Sequence, residues 1–551
     1  MKKIAIRSMT LAAGLFLVGC NPYLDTDPTD RMSDKLVWTS PDYADLYINN
    51  FYAYLDRYGQ FGSEQFSGNL TEGLTDSFKY GSPTAGSGHG DANMYAFYPE
   101  RITRSGNLID CWSSSYERIR RINEFLRSME LYSGFEQAKN DLYAAQARFF
   151  RAFLYFQLIK RYGGVILYTD MDLVKDKGRA SLEESWDQVE KDLDYAASIL
   201  PEEWDAANKG RITRYGALAF KTRAMVYAER WEKAVEAAGQ VINSGKYSLM
   251  KNYSEAWKGG NAESIIEFDY LKTGPSHSFD KDYVPYGDYL DVNAEENGGH
   301  AAPTQEMVEE YETKDGKKVD WTPWHTAEGT TAAPPYDQLE PRFQATVLHP
   351  GSVWKKHLLE CTPQGRHGRY MDYRADSYAK GRTTTGYYLR KLLDESLTDN
   401  LVLYAKSSTQ PWVELRLAEV YLNRAEANYR LGKESDALDD LKTIRARVGL
   451  PALTGISGKA VFDAIRKERK LELSYEGHLY WDMRRWRLAH IAYEGYRVHG
   501  LKVTVANGVY TYTYVDCDKE DRHFLEKTYL FPIPDAETLN NSLVEQNEDW
   551  K

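Results

Sequence analysis

Nothing restricts the fold of this chain more than the run FEQAKNDLYAAQARFFRAFLYFQLIKRY from Phe135 to Tyr162. Leu142, Ala145, Phe149, Ala152, Phe153 and Phe156 recur there at three and four residue spacing, the period of one helix face, and Gly163-Gly164 stops the run. A second helix is predicted from near Ser181, with Glu183 and Glu184 in a first turn where the helix dipole favours acids, ending at Leu200 before Pro201. Tyr215 to Glu229 and Trp231 to Ser244 then read as two helices with almost no loop between them. Alanines at 217, 219, 224 and 228, and again at 234, 237 and 238, let the two backbones approach closely, which predicts antiparallel pairing.

The same unit recurs near the C-terminus. Trp412 to Leu431 sets Ala418, Tyr421, Leu422, Ala425 and Tyr429 on one stripe, Gly432 closes it, and Glu434 to Val448 returns with Ala437, Leu438, Leu441 and Ile444 inward. Small residues at 425 and 437 across a short turn match the first and second helices of a tetratricopeptide repeat. About two hundred residues separate the pairs, too many for a continuous solenoid. The fold class expected is therefore mainly α, with tetratricopeptide-like pairs forming a scaffold beneath a loop-rich irregular layer.

That layer is the stretch from about Leu271 to Gln410, rich in Gly, Pro, Thr, Tyr and Trp and without sustained periodicity, joined by an earlier one from Leu74 to Pro99. Long irregular segments inside a compact protein carry function or disorder, and aromatic content argues for ordered loops. The chain holds 42 Tyr against 19 Phe, with 13 Trp besides. Tyr and Trp pair an apolar ring with a hydrogen-bonding tip, which suits a wet binding surface, although many must simply line helix contacts.

The first residues address the chain to a cell envelope. Lys2, Lys3 and Arg7 precede an apolar stretch from Met9 to Val18, and Gly19 stands directly before Cys20. These are the three regions of a secretory signal, and the apolar stretch is shorter than the roughly 20 residues a membrane-spanning helix needs. Leu17-Val18-Gly19-Cys20 resembles a bacterial lipobox, in which the Cys20 thiol is acylated and the chain cut before it. Several acyl chains at roughly 0.8 kcal/mol per methylene anchor a protein essentially permanently. Asn21 to Asp30, with two prolines and three acids, reads as a tether.

Composition excludes other classes. A net charge of -12 offers no footprint for nucleic acid. Cys111, Cys361 and Cys517 are widely spaced, with no metal-ligand pair and no disulfide framework, so free buried thiols are expected. No His-Glu-x-x-His, Gly-x-Ser-x-Gly, phosphate loop or Cys-x-x-Cys is present, so no catalytic residue is assigned. Asp291, Asn293 and Glu295 alternate like calcium ligands, but Glu296 stands where the turn glycine belongs, and no cofactor or metal is assigned.

Several runs resemble the SusD/RagB family of outer-membrane nutrient-binding lipoproteins of Bacteroidetes. They are Cys20 followed by Tyr23-Leu24-Asp25, the segment Ala147-Arg148-Phe149-Phe150-Arg151-Ala152, Lys191-Asp192-Leu193 leading to Leu200-Pro201, RLAEVYLNRAEANYRLG from Arg416, IRKERKLELSYEGHLYWDMRRW from Ile465, and YLFPIPDAETLNNSLVEQN from Tyr529. The resemblance spans nearly the whole chain. It implies a lid on a TonB-dependent transporter of the SusC type that captures glycan and passes it inward, at the outer membrane and exposed at the cell surface. The organisation expected is a signal over 1–19, a lipidated tether over 20–35, helical regions over 36–270 and 411–551, and a ligand-binding region over 271–410. Two rival readings are a lid that mainly gates its transporter, taking a peptide or other ligand, and a lipid-anchored glycoside hydrolase.

The family's binding surface draws on an early loop and the central region, which here points loosely to Asp76, Phe78 and Tyr80 and to Tyr283, Tyr286, Tyr289 and His300. Trp321 and Trp324 join them from composition alone, since Pro323 stiffens a loop that would hold both indoles outward. A sugar ring lays its C–H face on such rings while its hydroxyls take acids, amides or Arg at the rim. By contrast Glu468, Arg469, Glu472, Glu476, Asp482, Arg484 and Arg485 interleave carboxylates with guanidinia and are expected to satisfy one another as a structural network.

Overall fold

A computed structural model describes residues 38–56, 65–66, 69–80, 102–107, 109–171, 176–288, 298–372, 381–397, 408–518 and 521–551. Cys20, Tyr289 and the 291–296 loop lie outside the described residues. Ten helices carry the scaffold: α1 (Pro41–Tyr52), α2 (Trp112–Tyr132), α3 (Gln137–Tyr162), α4 (Leu182–Ile199), α5 (Arg214–Tyr227), α6 (Trp231–Asn243), α7 (Leu417–Arg430), α8 (Glu434–Arg447), α9 (Lys459–Glu472) and α10 (Leu479–Arg485). Their ends follow from local chemistry. Ser181 and Glu184 form a reciprocal capping box on α4, and Thr213 accepts the Gly216 N–H at the start of α5. Helix α3 ends at Gly163, whose φ of 78° lies in the left-handed region.

The two helix pairs turn in the same way although their sequences differ. After α5 the residue at positive φ is Glu229, after α7 it is Gly432, and the next residue donates back across the turn, Arg230 N–H to Met225 O and Lys433 N–H to Asn428 O, each at 2.8 Å. This is the Schellman closure, and only one of the two turns carries the glycine that announces it. The pairs then meet: α2 packs on α3, α3 on α4, α4 on α5, α5 on α6, and α6 on α7, which continues to α8 and α9. One stack thus crosses the sequence gap between residues 243 and 417. Fully buried Ala234, Ala238, Ala425 and Ala437 permit the close approach.

Buried ion pairs fasten the joint. Arg223 on α5 holds Glu419 of α7 through two bonds of 2.7 Å and Glu414 of strand β4 (Trp412–Arg416) at 2.5 Å. Arg416 reaches Glu263 and Glu472 at 2.7 Å each and Glu476 at 2.7 and 2.8 Å, and Lys391 joins Glu476 at 2.5 Å. Arg469 meets Asp482 at 2.6 Å, and Arg485 grips both oxygens of Glu426 at 2.6 Å. The carboxylates and guanidinia of the C-terminal signature are therefore structural, as their interleaving predicts. Arg484 is the exception in kind, since it donates to the carbonyls of Thr528 and Tyr529. In the N-terminal half Arg151 and Asp192 form a bidentate pair at 2.7 and 2.8 Å between α3 and α4, which accounts for two residues of the family-like motifs.

The irregular layer is ordered by short ladders between distant segments. Strand β1 (Phe78–Tyr80) pairs antiparallel with β3 (Ala301–Pro303), and β2 (Ser264–Phe268) with β4. A longer hairpin, β5 (His499–Ala506) and β6 (Val509–Asp516), pairs in full register around Asn507-Gly508, both at positive φ. Cys111, Cys361 and Cys517 are free and buried.

Candidate functional site

The structure disperses the residues that the sequence put forward. Phe78, Tyr80 and Tyr283 are core: none is more than 1% exposed, Phe78 stacks on Tyr283 at 6.1 Å, and the Tyr80 hydroxyl donates to Leu70 O. Rings without accessible surface cannot lie against a ligand, so residues 78–80 are a buried ladder strand and not a platform. Asp76 is half-buried and committed to Lys470 at 2.9 Å. His300 is buried, which pushes its pKa down to about 4, so the ring is neutral and unsuited to an exposed rim. Trp321 is 4% exposed, contrary to the expectation of an outward indole. Tyr286 and Trp324 remain half-buried, at the boundary where a ring can serve both core and ligand.

Around Trp324 the fold assembles a surface that local sequence does not show. Asp320 accepts the Thr322 N–H at 3.0 Å and starts a single 3₁₀ turn over Thr322–Trp324. Pro323 stiffens this turn as expected, but it drives Trp321 inward and leaves Trp324 above it, edge to face at 5.5 Å. The Trp324 indole N–H donates to Ala332 O at 2.9 Å, fixing the ring. The next residue, His325, is exposed and lies 4.6 Å from Tyr514 on β6. Tyr514 in turn stacks on His499 of β5 at 4.5 Å, with 16° between planes. The Tyr514 N–H donates to Thr326 O at 3.0 Å and Thr330 pairs with Tyr512, so the 321–330 loop is stitched along the hairpin.

Carboxylates line this row of rings. Glu309 meets His325 Nε2 at 2.6 Å, Glu306 meets His499 Nδ1 at 2.6 Å, and Asp516 lies 3.3 Å from His499 Nε2. Burial opposes a charge on His499, but Glu306 and Asp516 outweigh it and hold its pKa above the ordinary value. The surface presents ring edges and faces, imidazole donors and carboxylate acceptors side by side. That combination suits a polyhydroxylated ligand, whose C–H faces pack on rings and whose hydroxyls both donate and accept. Glu306 and Glu309 are each engaged by an imidazole rather than facing one another as a hydrolytic pair would. Among the described residues no group of three or more His, Cys, Asp or Glu is placed to hold a metal. Tyr514 and His499 were missed by a reading centred on helical pairs, yet the alternation KVTVANGVYTYTYV around Asn-Gly is a strong hairpin signal.

The architecture is a helical-repeat scaffold beneath a loop layer that carries exposed rings. Residues 262–550 match the family model described as the SusD family, and residues 23–226 match one described as starch-binding and associating with the outer membrane. The chain belongs to the SusD family. It is 24% identical to a SusD-like protein, P2, of Formosa agariphila over 98% of both chains. Among solved structures it resembles a SusD-like protein of Bacteroides fragilis (TM-score 0.77, 26% identity, covering 95% of this chain and 100% of that one). It also resembles a SusD-like carbohydrate-binding protein of the same organism (TM-score 0.72, 22% identity, 92% and 100% covered). The second family model and this neighbour are both described by the carbohydrate they bind. Among the described residues no helix is long and apolar enough to cross a membrane.

Proposed function

We propose that this chain captures glycan at the outer membrane, held there by lipid on Cys20, and delivers it to a TonB-dependent transporter of the SusC type. The observation that carries the glycan reading is the row Trp324, His325, Tyr514 and His499 with Glu306 and Glu309 at its edge. Family membership and the carbohydrate-binding descriptions of relatives support it. Calorimetry against a broad panel of oligosaccharides tests it: at least one is expected to bind with no product formed. Trp324→Ala and His325→Ala are each expected to weaken that binding about tenfold, the scale of one lost ring contact, with melting temperature nearly unchanged for the exposed His325 and modestly lowered for Trp324, which packs on Trp321. Trp321→Ala should instead lower stability, because its ring is core. Silence across the panel, or turnover of a bound sugar, would overturn the reading.

The anchor and partner are tested separately. Labelled fatty acid is expected to enter the wild-type chain and not a Cys20→Ala variant, and the lipidated chain is expected to co-purify with a large outer-membrane barrel. Release of the wild-type protein into the medium would remove the membrane part of the proposal.

A further inference from the structure

A second aromatic surface, around Tyr286, has the opposite electrostatic character. The ring follows Pro285 in a turn closed by Gly287, at φ 88°, where a Cβ would stand 2.3 Å from Arg366 O. No side chain fits there, so the turn is locked onto the 366–369 loop, and the Gly368 N–H donates to Tyr286 O at 2.9 Å. The guanidinium carbon of Arg369 lies 4.5 Å from the Tyr286 ring centroid and that of Arg382 lies 5.9 Å from it. Backbone pairing holds these two arginines together: the Thr383 N–H donates to Arg369 O and the Met371 N–H to Thr383 O, both at 2.9 Å.

Neither guanidinium has a carboxylate partner among the described residues. Arg369 donates through Nε to Gly365 O at 2.9 Å, while Arg382 Nε is buried without any acceptor. Elsewhere in the fold most buried arginines, among them 151, 223, 342, 416 and 469, are paired with acids, while Arg161 and Arg484 are spent on backbone carbonyls of the core. Lys355, the nearby ammonium, is already held by Asp288 at 2.7 Å. His367, in the same loop, stacks at 3.8 Å on His357 of the neighbouring 353–358 hairpin. Two guanidinia converging on one ring, neither held by a carboxylate among the described residues, have the geometry of an anion-binding site.

We infer that Arg369 and Arg382, seated over Tyr286, receive the carboxylate or sulfate of an acidic sugar unit, so that the glycan taken by this protein is anionic. The inference rests on the glycan reading and narrows it. The planar fork of each arginine suits two oxygens of such a group, and Tyr286 sets both forks at one place. Calorimetry with matched pairs tests it: oligogalacturonate against its methyl-esterified form, and chondroitin sulfate oligosaccharide against its desulfated form. One acidic member is expected to bind at least about tenfold more tightly than its neutral counterpart, the scale of one charge-assisted hydrogen bond. Which pair responds distinguishes carboxylate from sulfate. Arg382→Gln, and the double variant R369Q/R382Q, should abolish that difference, and the wild-type affinity should fall steeply as salt is raised. Should the double variant fail to fold, Arg382→Gln and the salt series still decide. Equal affinity within both pairs, or a charge preference that survives Arg382→Gln without salt dependence, overturns the inference. Binding of neutral glycans alone overturns it while leaving the glycan reading intact, and binding of none overturns both.

Discussion

Glu472→Ala is expected to lower the stability of this protein by about 3 to 5 kcal/mol, the cost of stranding buried charge. Glu472 has no exposed surface, and its carboxylate sits among Arg416 at 2.7 Å, Arg447 in direct contact, and Arg342 at 3.7 Å. Burial by itself would push this carboxyl up, but Arg447, Arg416 and Arg342 outweigh it and hold the group well below the usual carboxylate range. Removing it leaves Arg416 and Arg447 sharing Glu263, with the helix α9 end, strand β4 and helix α8 all losing a common tie. Urea unfolding at neutral pH measures the effect. Glu472→Gln keeps an acceptor of the same shape and should lose less. A cost below about 1 kcal/mol for the alanine variant would show that the network is dispensable.

The second large effect is with pH, through His277. This buried ring ties the 271–288 segment to the strand entering the C-terminal half: its backbone pairs both ways with Ser408 at 3.1 Å. Gln410 O can only accept and Phe279 N–H can only donate, so Nε2 carries the proton toward Gln410 at 3.0 Å and Nδ1 accepts from Phe279 at 3.3 Å. The neutral ring is therefore fully satisfied. Burial depresses its pKa from 6.5 to about 4, with the Gln410 bond opposing only in part. On acidification the unfolded chain takes the proton first. Stability drawn from the neutral ring is whole above pH 6.5, falls through the window down to pH 4, and is reduced by about 2 kcal/mol at pH 5. Asp280 works against this trend, since burial raises its carboxyl to about 6 and its folded form gains a proton in the same window. The comparison that isolates His277 is wild type against His277→Gln, unfolded in urea at pH 7 and pH 5. The variant should lose about 2 kcal/mol less than wild type between the two, and equal losses would refute the assignment.

How much of this was legible in the sequence differs sharply between layers. Helix α3 was predicted from Phe149, Phe153 and Phe156 because helix burial repeats locally, every three or four residues, whatever the partner is. The pairs α5–α6 and α7–α8 were equally plain in their alanines. In the loop layer no such rule applies. Phe78 and Tyr80 look like loop aromatics until Ala301–Pro303, more than two hundred residues on, pairs with them and closes them off. Asp76 looks like a ligand group until Lys470 takes it. Trp321 and Trp324 share one short motif, and only the hairpin behind them decides which indole is core.

The site shows the same division. Trp324 and Tyr286 were visible as ring-bearing loop positions, whereas His325, Tyr514 and His499 become one surface only where the 321–330 loop meets strands β5 and β6. Arg369 and Arg382 gain meaning from their meeting over the Tyr286 ring, which no stretch of sequence can display.

The sequence by itself determined the helices, their pairing, the family and the fate of the C-terminal ion network, because each of these is written in spacings of a few residues. Tertiary structure alone decided which aromatic rings are buried and which arginines converge on one of them. The physical reason is that burial and charge compensation in irregular segments are set by partners hundreds of residues away, through contacts that leave no period in the chain.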